Sequence, residues 1–162
     1  MIFRAGMRLV VVHNQVMMRI ERYLRVPENA TEAGGILIGC YRGPHIEITE
    51  CSEPLRRDRR SQLRFDRDDP GHQGLAKRRW TESGRTHTFV GEWHTHPEFS
   101  STPSRIDLKT WREVTRNNVA GSSVFLIRGG DGWWAGLGVG RILTRMSIVP
   151  PDDNDRHCSL DC

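Results

Sequence analysis

No run of apolar residues in this chain approaches the roughly 18 needed to cross a bilayer, so no membrane span is expected. Met1 to Val12 carry Arg4 and Arg8 beside only a short apolar run. They lack the long apolar region and small-residue cleavage site of a secretory leader, and a cytoplasmic location is the expectation. Cysteine is scarce, with four residues in all: Cys40, Cys51, Cys158 and Cys162. In a reducing compartment these read as free thiols rather than as two disulfides. His157, Cys158 and Cys162 match no familiar zinc spacing, and the Pro-Asp-rich stretch around them reads as a flexible tail over residues 151–162. No internal repeat and no nucleic-acid-binding motif is present.

What is there fits one globular domain. The chain has 162 residues, 36% hydrophobic and 27% charged, enough to enclose a core within residues 1–150. The charge is mildly basic, 24 Lys and Arg against 20 Asp and Glu, and the excess is local. Arg56, Arg57, Arg59, Arg60, Arg64 and Arg67 crowd one segment, and Lys77, Arg78, Arg79 and Arg85 the next. Asp58, Asp66, Asp68 and Asp69 are interspersed, so these read as a solvated loop and helix face rather than a nucleic-acid surface.

Short elements alternate along the chain. Met7 to Val12 reads as a strand. Val16, Ile20 and Leu24 recur at helical spacing and predict a helix over 14–25, ended by Pro27. Gly34 to Cys40 and His45 to Thr49 read as paired strands about the Gly43-Pro44 turn. Residues 52–69 show no periodicity and are expected to be irregular, with a short strand near Leu63 to Phe65. Asp69-Pro70 can open a helix that reaches about Glu82, with Gly84 ending it. Thr86 to His94 is the next strand, and Pro97 breaks it. Ile106, Trp111, Val114 and Val119 predict a helix from about Arg105 to Arg116. Ser123 to Ile127, Trp133 to Val139 and Ile142 to Val149 close the chain as strands. The mixture implies an α/β or α+β sandwich, one sheet between helices.

The chemistry concentrates in Gly91-Glu92-Trp93-His94-Thr95-His96-Pro97 and the following Ser104 and Asp107. Side chains at i and i+2 of a strand share a face, so His94 and His96 can point at one ion. Asp107, in the first turn of the next helix, can return as a third ligand. Two imidazoles and a carboxylate suit Zn²⁺, with a fourth position left for water. Glu92 shares the strand parity and is a rival ligand or a partner to a ligating histidine. Ser104 reads as an N-cap, with Asp107 completing a capping box. A hydrolytic metal site also needs a carboxylate base. Glu32 is the candidate, before the glycine-containing run Gly34 to Gly39, although spacing alone does not separate it from Glu28, Glu47 or Glu50.

Glu32 with Gly34 to Gly39, then His94-Thr95-His96-Pro97, Ser104 and Asp107, resembles the JAMM motif of the JAB/MPN family of zinc metalloproteases. The resemblance runs over about residues 5–150. It implies a mixed sheet flanked by helices, similar to the cytidine deaminases, and isopeptidase or peptidase activity on ubiquitin-like conjugates. It implies one Zn²⁺ on His94, His96 and Asp107, Glu32 as base, and Ser104 steadying the oxyanion. Val90 to Glu98, Pro103-Ser104, Asp107 to Trp111 and Asp68-Asp69-Pro70-Gly71-His72-Gln73 resemble one bacterial branch, found with integrative elements and CBASS antiphage operons. That likeness implies a deconjugase that cleaves after the C-terminus of a cGAS-like nucleotidyltransferase, opposing a ubiquitin-activating and -conjugating-like enzyme. Another ubiquitin-like or sulfur-carrier protein is the alternative substrate, and a non-catalytic binding scaffold the alternative role. No nucleic-acid or membrane partner is expected. The substrate tail is expected to add to a strand edge at Gly34 to Gly39.

Overall fold

The computed structural model describes residues 1–24, 30–118 and 121–150. Glu28, Val119, the tail over 151–162 and its two cysteines lie outside the described residues. Among the described residues, eleven strands and three α-helices follow one another as β1 (Ile2–Ala5), β2 (Arg8–Val12), α1 (Asn14–Glu21), β3 (Gly34–Arg42), β4 (His45–Cys51), β5 (Arg59–Ser61), β6 (Arg64–Asp66), α2 (Gly71–Glu82), β7 (Thr88–Thr95), α3 (Arg105–Asn117), β8 (Ser122–Gly129), β9 (Gly132–Val139), β10 (Ile142–Arg145) and β11 (Ser147–Val149). The fold is mixed α+β. Nine strands form one sheet in the order β10-β9-β8-β7-β3-β4-β2-β1-β11, and β5 and β6 pair apart from it.

Two pairs in the large sheet are parallel, β2 with β4 and β7 with β8. Each needs a crossover helix, and α1 and α3 lie on those connections. Alternation along β8 separates the two faces. Val124 and Leu126 join the larger core, with Val16, Met17 and Ile20 of α1. Phe125 and Ile127 join a smaller one with Trp111 of α3 and Trp134. The Trp111 ring stacks on Phe125 and Trp134 at centroid distances of 4.7 and 5.3 Å. Met146 alone separates β10 from β11, so one stretch of chain pairs with both ends of the sheet.

Three differences from the sequence expectation have local causes. β1 has only Phe3 buried among its four residues, too little pattern to announce a strand. The 52–69 excursion carries a hairpin: β6 falls on the expected short strand and the unexpected β5 pairs with it, Arg59 binding Asp66 across the ladder and Asp68 beyond it, and Arg64 binding Asp66 of its own strand. Those ion pairs are also where much of the local arginine excess goes. Third, β3 pairs with β7 from Gly34 to Gly39 and with β4 from Leu37 to Arg42, so Leu37 to Gly39 offers no free edge to a substrate tail. The bulges in both ladders of β3 widen its twist but leave it paired.

Candidate metal centre

Strand register brings the candidate base to the candidate ligands. Gly34 of β3 stands opposite His94 of β7, so the antiparallel ladder projects Glu32 toward His96. Ala33 extends the pairing: Thr95 N donates to Ala33 O at 2.7 Å, and Ala33 N donates to Thr95 Oγ1 at 3.1 Å. His96 is carried one step past β7 by its N–H, which donates to Arg128 O on β8. Asp107 arrives from the other side, in the first turn of α3. There Ser104 N donates to Asp107 Oδ2 at 2.7 Å and Asp107 N donates to Ser104 Oγ at 3.2 Å, the capping box. The cap therefore fixes the carboxylate in place.

The donor atoms converge. His94 Nε2 lies 3.1 Å from His96 Nε2 and 3.5 Å from Asp107 Oδ1, and His96 Nε2 lies 3.8 Å from Asp107 Oδ2. Donors about 2.05 Å from a tetrahedral ion stand roughly 3.3 Å apart, so the three separations bracket what one such ion demands. Among the described residues, His94, His96 and Asp107 are the group whose ligand atoms could hold a metal ion. His96 Nδ1 sits 2.9 Å from Ser100 O. A proton there donates to the carbonyl and leaves the Nε2 lone pair for the ion. The His94 ring rests on Trp111, centroids 5.7 Å apart, which holds its orientation from the apolar side. Glu92 takes a different role: its carboxylate accepts from Arg67 Nη2 at 2.6 Å.

The electrostatics follow from burial and proximity. Burial pushes the Glu32 carboxyl up to about 7; His96 opposes this and Asp107 adds to it. Glu32 Oε1 lies 3.9 Å from His96 Nε2. Burial lowers His94 to about 4, so its ring is neutral and ready to ligate near neutral pH. Burial also works against the Asp107 anion, but hydrogen bonds from His96 and Ser104 and the charge of His94 outweigh it and hold Asp107 down at about 2. An ionised aspartate beside neutral imidazole is the donor set a borderline dication takes.

Two cavities meet at this cluster. One, of about 250 Å³, is lined by β6 residues, Glu92, His94, Asp107 and Trp111. The other, of about 400 Å³, is lined by Glu32, His96, Pro97, Glu98, Thr102 and Ser104. Leu63 and Ile106 border both. A larger cavity, about 490 Å³, lies among α1, β4 and α2, away from the donor cluster. Its wall carries Arg79, whose guanidinium is already bound through two nitrogens to Glu50. Arg79 also pairs with Glu82, Arg19 pairs with Glu53 outside the lining, and none of the candidate ligands reaches the cavity.

Sequence reasoning missed the supports of the site. Glu32 N donates to Ser61 O at 2.8 Å, and Arg60 Nε donates to Glu32 O at 2.7 Å. Ser101 N donates to Asp131 Oδ1 at 2.8 Å, which anchors the loop carrying the Ser100 carbonyl. Most of these contacts use main-chain atoms, which leave no residue signature.

A family model described as prokaryotic homologues of the JAB domain matches residues 14–141. A protein of Vibrio cholerae named "CD-NTase/cGAS isopeptidase" is 38% identical over 129 residues, covering 79% of this chain and 81% of that one. A Sinorhizobium fredii protein named "Probable metalloprotease" is 28% identical over 124 residues, covering 73% of this chain and 75% of that one. The solution structure of a Desulfitobacterium hafniense protein superposes with a TM-score of 0.62 at 19% identity, over 91% of this chain and 97% of that one, a likeness of fold alone.

Proposed function

The chain belongs to the prokaryotic homologues of the JAB domain, and from that membership we propose that it is a zinc-dependent isopeptidase acting on a conjugated cGAS-like nucleotidyltransferase. His94, His96 and Asp107 hold the ion, Glu32 is the base, and Ser104 donates to the substrate. The observation that carries this reading is the convergence of three ligand atoms within 4.8 Å of one another, with a buried carboxylate alongside. The names of the Vibrio and Sinorhizobium relatives support the reaction and the substrate class.

A dication on these ligands supplies Lewis acidity, polarising a carbonyl and bringing the pKa of water down to about 7. Glu32 then takes the proton of the attacking water and hands it to the departing nitrogen as the amide C–N bond breaks. Burial raises the proton affinity of Glu32 in the metal-free chain, which favours its taking a proton. Ser104 Oγ–H donates to the carbonyl oxygen as charge builds there. Because Glu32 must reach the leaving nitrogen, the cavity that contains it is the amine side. The acyl tail enters through the other cavity and runs along β6, which is outside the large sheet.

The test uses purified zinc-loaded protein and a nucleotidyltransferase joined through its C-terminus to a lysine, with sulfur-carrier and ubiquitin-like conjugates in parallel. Glu32→Gln is expected to keep its zinc and lose about 10²- to 10⁴-fold in turnover. His94→Ala is expected to lose both metal and activity. Full cleavage after chelation, or in Glu32→Gln, overturns the mechanism. Cleavage of a sulfur-carrier conjugate alone moves the substrate and leaves the chemistry.

A further inference from the structure

The β5–β6 hairpin grips Glu32 at three places. The Glu32 N–H donates to Ser61 O on β5 at 2.8 Å. The Arg60 guanidinium spans two successive carbonyls, Nε to Glu32 O at 2.7 Å and Nη2 to Thr31 O at 3.3 Å. The Phe65 N–H on β6 donates to the Glu32 carboxylate. The hairpin also packs hard on the start of β3: a Cβ on Gly34 would meet the Phe65 ring at 2.5 Å. Glu32 precedes the first residue of the ladder, so the sheet itself holds only its C-terminal neighbour.

We infer that Arg60 is a positioning residue for the general base, fixing the Thr31–Glu32 main chain so that the Glu32 carboxylate stays over the ligand cluster. This rests on Glu32 acting as the base. Arginine suits the task because its planar fork addresses two carbonyls at once, whereas an ammonium is a single point charge. Arg60 lines neither cavity at the site and touches none of the three metal ligands. Its effect therefore falls on turnover rather than on substrate or metal binding. A base displaced by about 1 Å costs up to roughly 10²-fold in rate.

The experiment compares Arg60→Ala, Arg60→Lys, Arg59→Ala and Glu32→Gln, each zinc-loaded, in kcat, KM, zinc content and Tm. Arg60→Ala is expected to lower kcat about ten- to a hundredfold while KM and zinc content stay within about twofold. Arg60→Lys recovers part of the loss, since one donor remains. Arg59→Ala removes hairpin ion pairs to Asp66 and Asp68 without touching Glu32, and keeps wild-type kcat. Should Arg60→Ala not fold, Arg60→Gln and Arg60→Lys carry the comparison, with turnover ordered wild type, Lys, Gln. The inference is overturned by wild-type kcat in Arg60→Ala or Arg60→Gln, by an equal loss in Arg59→Ala, or by zinc lost in proportion to rate. If Glu32→Gln itself retains full kcat, the base assignment has failed instead, and the two failures are told apart by that one variant.

Discussion

Glu32 is held in a state that suits proton transfer and opposes stability. Burial holds its carboxyl at about 7 in the folded chain, against 4.5 for the free side chain. The folded state therefore binds the proton more tightly than the unfolded one, and stability falls as pH rises from about 4.5 through 7. The shift corresponds to about 3 kcal/mol at most. Metal-free Glu32→Gln is thus expected to melt higher than metal-free wild type at about pH 8 and to match it near pH 4; equal melting at the higher pH counts against the burial argument. Cleavage runs the opposite way. On the proposed mechanism the base works only when ionised, so kcat/KM of a zinc-loaded form is expected to climb about tenfold per pH unit below a midpoint at or under about 7, since a bound cation draws the carboxyl down. Residue choice at this position was only partly legible. Spacing offered Glu28, Glu32, Glu47 and Glu50 alike; Glu28 lies outside the described residues, and the others differ by partner, Glu47 being bound to His13 and Arg42 and Glu50 to Arg79. By contrast the Ser104–Asp107 box is read from a three-residue interval, because both of its bonds are local.

At the scale of elements, the loop from Pro97 to Pro103 decides how His96 is presented. The β8–β9 turn holds that loop from below: Asp131 N donates to Phe99 O at 2.7 Å while Asp131 Oδ1 accepts from Ser101 N. Between those two contacts stands the Ser100 carbonyl that faces His96 Nδ1. Asp131→Ala is expected to weaken zinc binding by about tenfold, as loss of an outer support to a ligating imidazole does, measured by competition with a chelator. Unchanged affinity would show that the loop keeps its shape without the aspartate. Helices and strands were legible wherever their periodicity was local: α1 ends in a 3-10 turn over Arg22–Leu24 within the expected span, and α3 covers Arg105–Asn117. The hairpin was legible only in part: β6 lies on the expected short strand, but β5 is three exposed residues, Arg59 to Ser61, with no apolar pattern to announce it.

At the scale of the whole molecule, sheet order was the part hidden from sequence. A glycine-rich strand beside Glu32 reads as a docking edge, whereas β7 pairs with it over Gly34 to Gly39 and β4 from Leu37 onward. Which strands neighbour which is set by long-range pairing, and no short window carries that information. No helix among the described residues is long and apolar enough to cross a membrane. A buried chain of polar contacts ties distant segments together. Asp58, His72 and Ser52 form it, from His72 Nε2 to Asp58 Oδ2 at 2.9 Å and from His72 Nδ1 to Ser52 Oγ at 2.7 Å. Ser52 Oγ in turn accepts from Ile36 N on β3, so the root of the hairpin excursion is fastened to the central sheet.

Because a single strap, Ile142 to Val149, pairs with β9 at one rim and with β1 at the other, the two rims cannot fray independently. Lifting it would bare both at once, and with them the sticky backbone that invites fibril-like stacking between molecules. Amide deuteration of residues 2–5 and 132–139 should accordingly accelerate in step when the strap is weakened, for instance by Leu143→Pro; protection lost at only one rim would mean that the closure is not cooperative.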